Sequence, residues 1–187
     1  MMNHNHSQKF QIISYIGLFV LILSLILSRI FEPTSFSRIA DDKNYIQTTQ
    51  ITKENCHVIL RTDELTSIEN LEVYNGSGGK IILSNVEFDG DRSIELQFKA
   101  LGKITSDGAS LVTASLDTES GFLSSSLRTE PLENINAIYS FRTSEFEEYG
   151  NRFSVLLYFL DSEDIMRDFP EVTVFLDSLI LSEYKKV

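Results

Sequence analysis

The sequence has one cysteine, no tryptophan and three histidines in 187 residues. Each scarcity removes a class of explanation. A lone Cys56 makes no intramolecular disulfide, so the fold must be held by a packed core. An apolar content of 42% is sufficient to build one. His4 and His6 stand near the N-terminus and only His57 lies further on. That leaves no His/Cys set for a zinc site in the body of the chain. Cys56 and His57 are adjacent, and neighbours on a strand point to opposite faces, so they pair poorly as nucleophile and base. There is no G-x-S-x-G, no H-E-x-x-H and no phosphate loop. The stretch "NGSGGK" at 75–80 lacks the phosphate-loop spacing and reads as a glycine turn, although Asn75-Gly76-Ser77 fits the N-glycosylation pattern.

Positive charge is also scarce. The net charge is −11, and all 27 Asp and Glu follow Arg29, against 14 Lys and Arg there. An acidic body of this kind excludes a nucleic-acid partner, because phosphate binding needs a basic surface. No block of Lys and Arg marks a polybasic membrane patch.

What is present begins with "FQIISYIGLFVLILSLILS", residues 10–28, without a charge. Its length suits the roughly 20 residues of a bilayer-spanning helix. No small-residue cleavage site follows, which favours an uncleaved signal-anchor over a removed signal peptide. The expectation is a short tail at 1–9, a transmembrane helix at 10–29, a tether at 30–50 and a folded domain at 51–187. Lys9 precedes the run, while Arg29, Arg38 and Lys43 follow it. Long domains translocate largely regardless of such flanking charges. Domain type therefore decides the orientation, and it places the C-terminal domain outside the cytoplasm on a single-pass anchor.

From residue 51 the pattern is short strands with turn punctuation. The candidates are 55–61, 69–74, 79–86, 92–100, 109–117, 121–128, 134–142, 152–160 and 172–183. "NGSGG", "DGD", "SDG" and "EEYGN" separate several of them. Alternation is clearest at Ile94, Leu96 and Phe98, with Ser93, Glu95, Gln97 and Lys99 between. Regularly spaced strands without intervening helices predict an all-β sandwich or barrel.

The strand order carries a resemblance. "RSIELQFKALGK", "LVTASLD", "YSFRTSEFEEYGNRFSVLLYFLD" and "VTVFLDSLILSEY" are similar, in pattern and order, to successive strands of carbohydrate-binding-module jelly rolls of the galactose-binding-like kind. The resemblance covers about residues 68–184 and implies a jelly-roll β-sandwich behind the transmembrane α-helix. It also implies that Asp177, on the closing strand, helps hold a structural Ca²⁺ or a nearby loop. Hydrogen bonding is the other use for that carboxylate, since a buried unpaired one costs several kcal/mol. "EFDGDR" at 87–92 reads as a hairpin turn before it reads as a calcium loop.

On the jelly-roll plan, Glu95, Gln97 and Lys99 face away from the core. The next strand adds Thr113, Ser115 and Asp117, and late strands add Arg142 and Tyr158. Such a polar row with an aromatic suits sugar hydroxyls and a sugar ring. It is equally what the wet face of any sandwich carries, and the missing tryptophan removes the best stacking platform. The sequence thus predicts a non-catalytic, membrane-anchored domain of the cell envelope that binds a glycan or polysaccharide. The alternative is a structural or assembly subunit, its helix packing through Ser14, Gly17, Ser24 and Ser28 and its sandwich docking an envelope membrane protein. A tethered hydrolase is the third reading. No cofactor is expected beyond the possible structural calcium, and residues 10–29 make the lipid bilayer a partner.

Overall fold

A computed structural model describes residues 17–24, 35–61, 68, 70–88, 92–118, 121–130, 137–143, 147–159 and 170–187. The chain divides into two units, Met1–Thr34 and Ser35–Val187. In the first unit, residues 17–24 are helical. This corrects the transmembrane expectation at 10–29. Among the described residues no helix is long and apolar enough to cross a membrane. The remainder of 10–29 lies outside the described residues.

The second unit is all-β and sandwich-like. One short helix, α1 (Phe36–Asp41), precedes β1 (Tyr45–Ile51) and β2 (Asn55–Arg61). Then follow β3 (Leu71–Gly76), β4 (Gly79–Phe88), β5 (Ser93–Thr105) and β6 (Gly108–Thr113). The chain continues through β7 (Ser115–Thr118), β8 (Gly121–Ser124), β9 (Ser126–Glu130) and β10 (Ala137–Thr143). It closes with β11 (Gly150–Phe159), β12 (Glu171–Asp177) and β13 (Ile180–Lys186).

Among the described residues all pairings are antiparallel. β3, β4, β5, β11 and β10 lie side by side in that order. β1, β13 and β6 form a second run, joined to the first where the end of β5 pairs β6 at residues 103–105. β2, β12 and β9 form a separate three-stranded sheet, and β7 and β8 a ribbon. Alternation explains the layers: β2 and β12 each bury every second residue. Val58, Leu60, Val172, Val174 and Leu176 join Ile81, Leu83, Leu96, Phe98, Val155 and Leu157 in one core. Burial of such side chains stabilises by about 1.5–3 kcal/mol each.

Corners divide several expected strands. The run expected at 172–183 breaks after Asp177, where Ser178 adopts a left-handed φ of 64°. Alternation restarts there, and Leu179, of the same parity as the part-exposed Phe175 and Asp177, is fully buried. The break between β1 and β2 lies beside it, with Thr52 N–H donating to the Leu179 carbonyl at 2.8 Å and Leu179 N–H to that of Glu54 at 2.9 Å. Likewise, 109–117 and 121–128 each split, at Ala114 and Ser125, which are bridged by a 2.7 Å backbone bond.

The tether expected at 30–50 is, from Ser35 onward, part of the folded unit. Ser35 caps α1 by accepting from Arg38 N–H. Phe36 and Ile39 are buried, and the Phe36 ring meets Tyr184 edge-on at 5.3 Å. β1 pairs β13 along its whole length.

Candidate functional site

β5 is bound on both sides over residues 94–101, by β4 and by β11. Because its dry positions are Ile94, Leu96, Phe98 and Ala100, Glu95, Gln97 and Lys99 stand on the outer face, as expected. The pairing register extends this face sideways into rows. Lys99 sits between Ile82 and Arg152. Gln97 sits between Asn85 and Ser154, and Ser154 in turn opposes Arg142. Glu95 sits between Glu87 and Leu156, and Ser93 opposes Tyr158.

A bulge in β4 between Leu83 and Asn85 inserts Ser84, whose hydroxyl donates to the Gln97 carbonyl at 2.9 Å. Bulges bend the strand and re-aim side chains. The result is a groove of about 240 Å³, lined among the described residues by Ser84, Glu95, Gln97, Arg142, Arg152 and Ser154, with Phe98 and Phe153 beneath. The two phenyl rings stack at 4.9 Å and 10° on the core side of the sheet. Arg152 is held by Glu147, whose carboxylate oxygens lie 2.8 and 2.9 Å from its Nε. Among the described residues, no side chain pairs with Glu95, Gln97 or Arg142. Glu87 and Glu95 are directly opposed like charges, an unfavourable cross-strand arrangement. Asn85 Nδ2 donates to Glu87 at 2.7 Å.

The structure therefore brings Glu95, Gln97 and Arg142 into one groove, with Lys99 and Tyr158 on flanking rows of the same face. Tyr158 is 41% exposed. It does not bring in the strand expected next. Thr113 and Ser115 are buried, with the Thr113 hydroxyl donating to the Ser115 carbonyl at 2.9 Å. Asp117 belongs to the β7–β8 ribbon, opposite Phe122. The reason is the length of β5, which reaches β6 only through its last three residues. Arg152 and Ser154 were missed, although both share the parity of Tyr158 along β11. Ser84 had no sequence signal, because a bulge depends on its partner strand.

Asp177 lies elsewhere, on β12 between Asn55 and Ser126. Its Oδ2 accepts from Arg128 Nε at 3.1 Å. That guanidinium also lies 3.6 Å over the Phe175 ring, with His57 at 5.7 Å from the same ring. Among the described residues no group of three His, Cys, Asp or Glu is placed to hold a metal, and the part of "EFDGDR" at 89–91 lies outside them. Cys56 is buried and faces away from His57 on the alternating β2. Burial, with the nearby Asp177 charge, pushes its thiol up to about 12.

A second groove of about 230 Å³ lies between β6 and β13. Its charged groups are internally engaged: Lys185 with Glu183 at 3.6 Å, and Asp107 with the Ser106 hydroxyl at 3.1 Å. The face of β4, β5, β11 and β10 is therefore the stronger candidate. No protein-family model, no curated protein and no solved structure matches this chain. The sandwich-like fold agrees with the coarser part of the jelly-roll resemblance, while its galactose-binding-like part has no matched family behind it.

Proposed function

We propose that the groove between β4, β5, β11 and β10 binds a glycan, and that the unit is a non-catalytic jelly-roll module of the galactose-binding-like kind. One observation carries the reading. Glu95, Gln97 and Arg142, from two strands that flank β11, converge on a single groove without protein partners among the described residues. A carboxylate, a planar amide and a guanidinium are the groups that engage adjacent hydroxyls in pairs. Tyr158, one row beyond Glu95, supplies an exposed ring for stacking. A polysaccharide ligand places the module outside the cytoplasm, in the cell envelope, which cell fractionation checks directly. Glycan arrays probed with the full chain test the binding. Selective saccharide binding that weakens about tenfold in Gln97→Ala supports the reading. An array with no hits, or hits indifferent to both Gln97→Ala and Tyr158→Ala, overturns it.

The assembly-subunit alternative has its own observation. The outer face of β2, β12 and β9 carries the His57–Phe175–Arg128 row beside Ile59, which is 46% exposed. Aromatic residues and arginine are enriched at protein interfaces. A partner recovered with the full chain and lost in Ile59→Asp would favour this reading.

A further inference from the structure

We infer that the saccharide taken by this groove is acidic, with its carboxylate held at the Arg142 end. The inference rests on the glycan reading and deepens it.

The rows across the sheet are graded in charge. The first holds Lys99 and Arg152, the second Gln97, Ser154 and Arg142, and the third Glu87 and Glu95. Positive charge thus gathers at one end of the groove and negative charge at the other. Arg142 and Glu95 are separated by two strand spacings and one two-residue step. With strands about 4.8 Å apart and a rise of about 3.4 Å per residue, their backbones lie about 12 Å apart. That span holds a sugar ring with its acid at one end and its hydroxyls at the other. Arg152 already spends its Nε on Glu147, so Arg142 is the guanidinium whose fork is open to a ligand. A planar fork matches a carboxylate in a two-point contact that an ammonium cannot make. Ser154, on the strand between Arg142 and Glu95, and Gln97, beside Glu95 on β5, are the neutral groups placed to serve ring hydroxyls. Glu95 accepts from hydroxyls and repels a second acid, which fixes the ligand's direction.

The chain's net charge of −11 narrows the ligand further. A long polyanion meets repulsion over most of the surface, whereas one acidic residue needs only the local cationic end. Screening at physiological salt, with a Debye length of about 8 Å, leaves that local contact in force. The fitting ligand is a short oligosaccharide or a chain end that carries a single uronic-acid-type carboxylate.

The test uses the full chain on an array of neutral, carboxylate-bearing and sulfated oligosaccharides. Hits are then compared with their carboxyl-reduced forms by titration calorimetry. The expected result is hits among the carboxylate-bearing sugars, each weakened about tenfold or more by reduction. Arg142→Gln should erase that preference at an unchanged melting temperature, and Arg142→Lys should restore only part of it. Neutral sugars bound as tightly as acidic ones, hits confined to sulfated sugars, or a preference that survives Arg142→Gln would each overturn the inference while leaving the glycan reading in place. A chain that binds no saccharide overturns the glycan reading itself, and this inference with it.

Discussion

Arg128 Nε lies 3.1 Å from Asp177 Oδ2, across neighbouring strands of the three-stranded sheet. The charge inside the closing apolar run "VTVFLDSLILSEY" is therefore a partner for a guanidinium, which it steers over the Phe175 ring. β12 is the central strand of that sheet, so the donor comes from a side chain on the neighbouring strand and not from backbone at a free edge.

Asp177→Asn removes the charge and keeps the shape. Both side chains are part-exposed, so the loss should be about 0.5–1 kcal/mol of unfolding free energy. Thermal melting with and without Ca²⁺ separates the roles. The ion-pair role predicts equal melting temperatures in both conditions for the native chain and for the variant. A calcium-dependent rise that Asp177→Asn abolishes would make this carboxylate a ligand.

Cys56 predicts a specific pH dependence. Its thiol ionises near 9.0 when unfolded and is pushed up to about 12 by burial in the fold. The folded state thus favours the protonated form. The contribution is fully present below pH 9 and is lost as pH rises from about 9 towards 12. Buried Tyr184 is shifted in the same direction, so the comparison must be internal. Urea midpoints measured from pH 8 to 10.5 should fall more steeply for the native chain than for Cys56→Ala. Parallel slopes would contradict the burial of the thiol.

Gly102 lies under Phe36. A Cβ added there would stand 2.6 Å from the Phe36 ring and 2.8 Å from the Ser110 carbonyl oxygen. Gly102→Ala should therefore cost about 1–3 kcal/mol by overpacking, and Phe36→Ala about 3–5 kcal/mol by leaving a cavity. Chemical denaturation measures both. Limited proteolysis should cut either variant near α1 sooner than the native chain. A native-like cleavage rate in Phe36→Ala would mean that α1 is not anchored by that ring.

Ser178 holds a left-handed backbone at the corner between β12 and β13. Ser178→Val should destabilise by about 1–2 kcal/mol, because a branched side chain resists that conformation. Ser178→Gly should be close to neutral, relief of backbone strain offsetting the greater freedom of the unfolded chain. Denaturation midpoints in the order Gly, Ser, Val or Ser, Gly, Val fit this account. A Val variant as stable as the native chain would not.

Much of the sandwich-like fold was legible. The run 55–61 coincides with β2, and the wet and dry positions of 94–100 are those found in β5, whereas Ser93, expected on the wet face, is buried. The missed boundaries have a common cause. Ala114, Ser125 and Ser178 turn the chain without glycine or proline, so no local residue type announces the corner. β1 was read as tether because its residues show no alternation: most are exposed, with no sustained dry face. The expected membrane helix rested on the length and hydropathy of an uncharged run, and among the described residues no helix is long and apolar enough to cross a membrane.

The candidate site divides along the same line. Which residues of β5 and β11 face outward follows from their own alternation, because successive side chains on a strand point to opposite faces. That much the amino-acid sequence determined by itself. Which strands lie beside β5 was decided only by tertiary structure, since pairing depends on contacts far apart in the chain. That pairing set Thr113, Ser115 and Asp117 apart from the row and brought Arg142, Arg152 and Ser154 to it. It also gave Asp177 its partner, for nothing local to "VTVFLDSLILSEY" indicates that Arg128, 49 residues away, lies on the next strand.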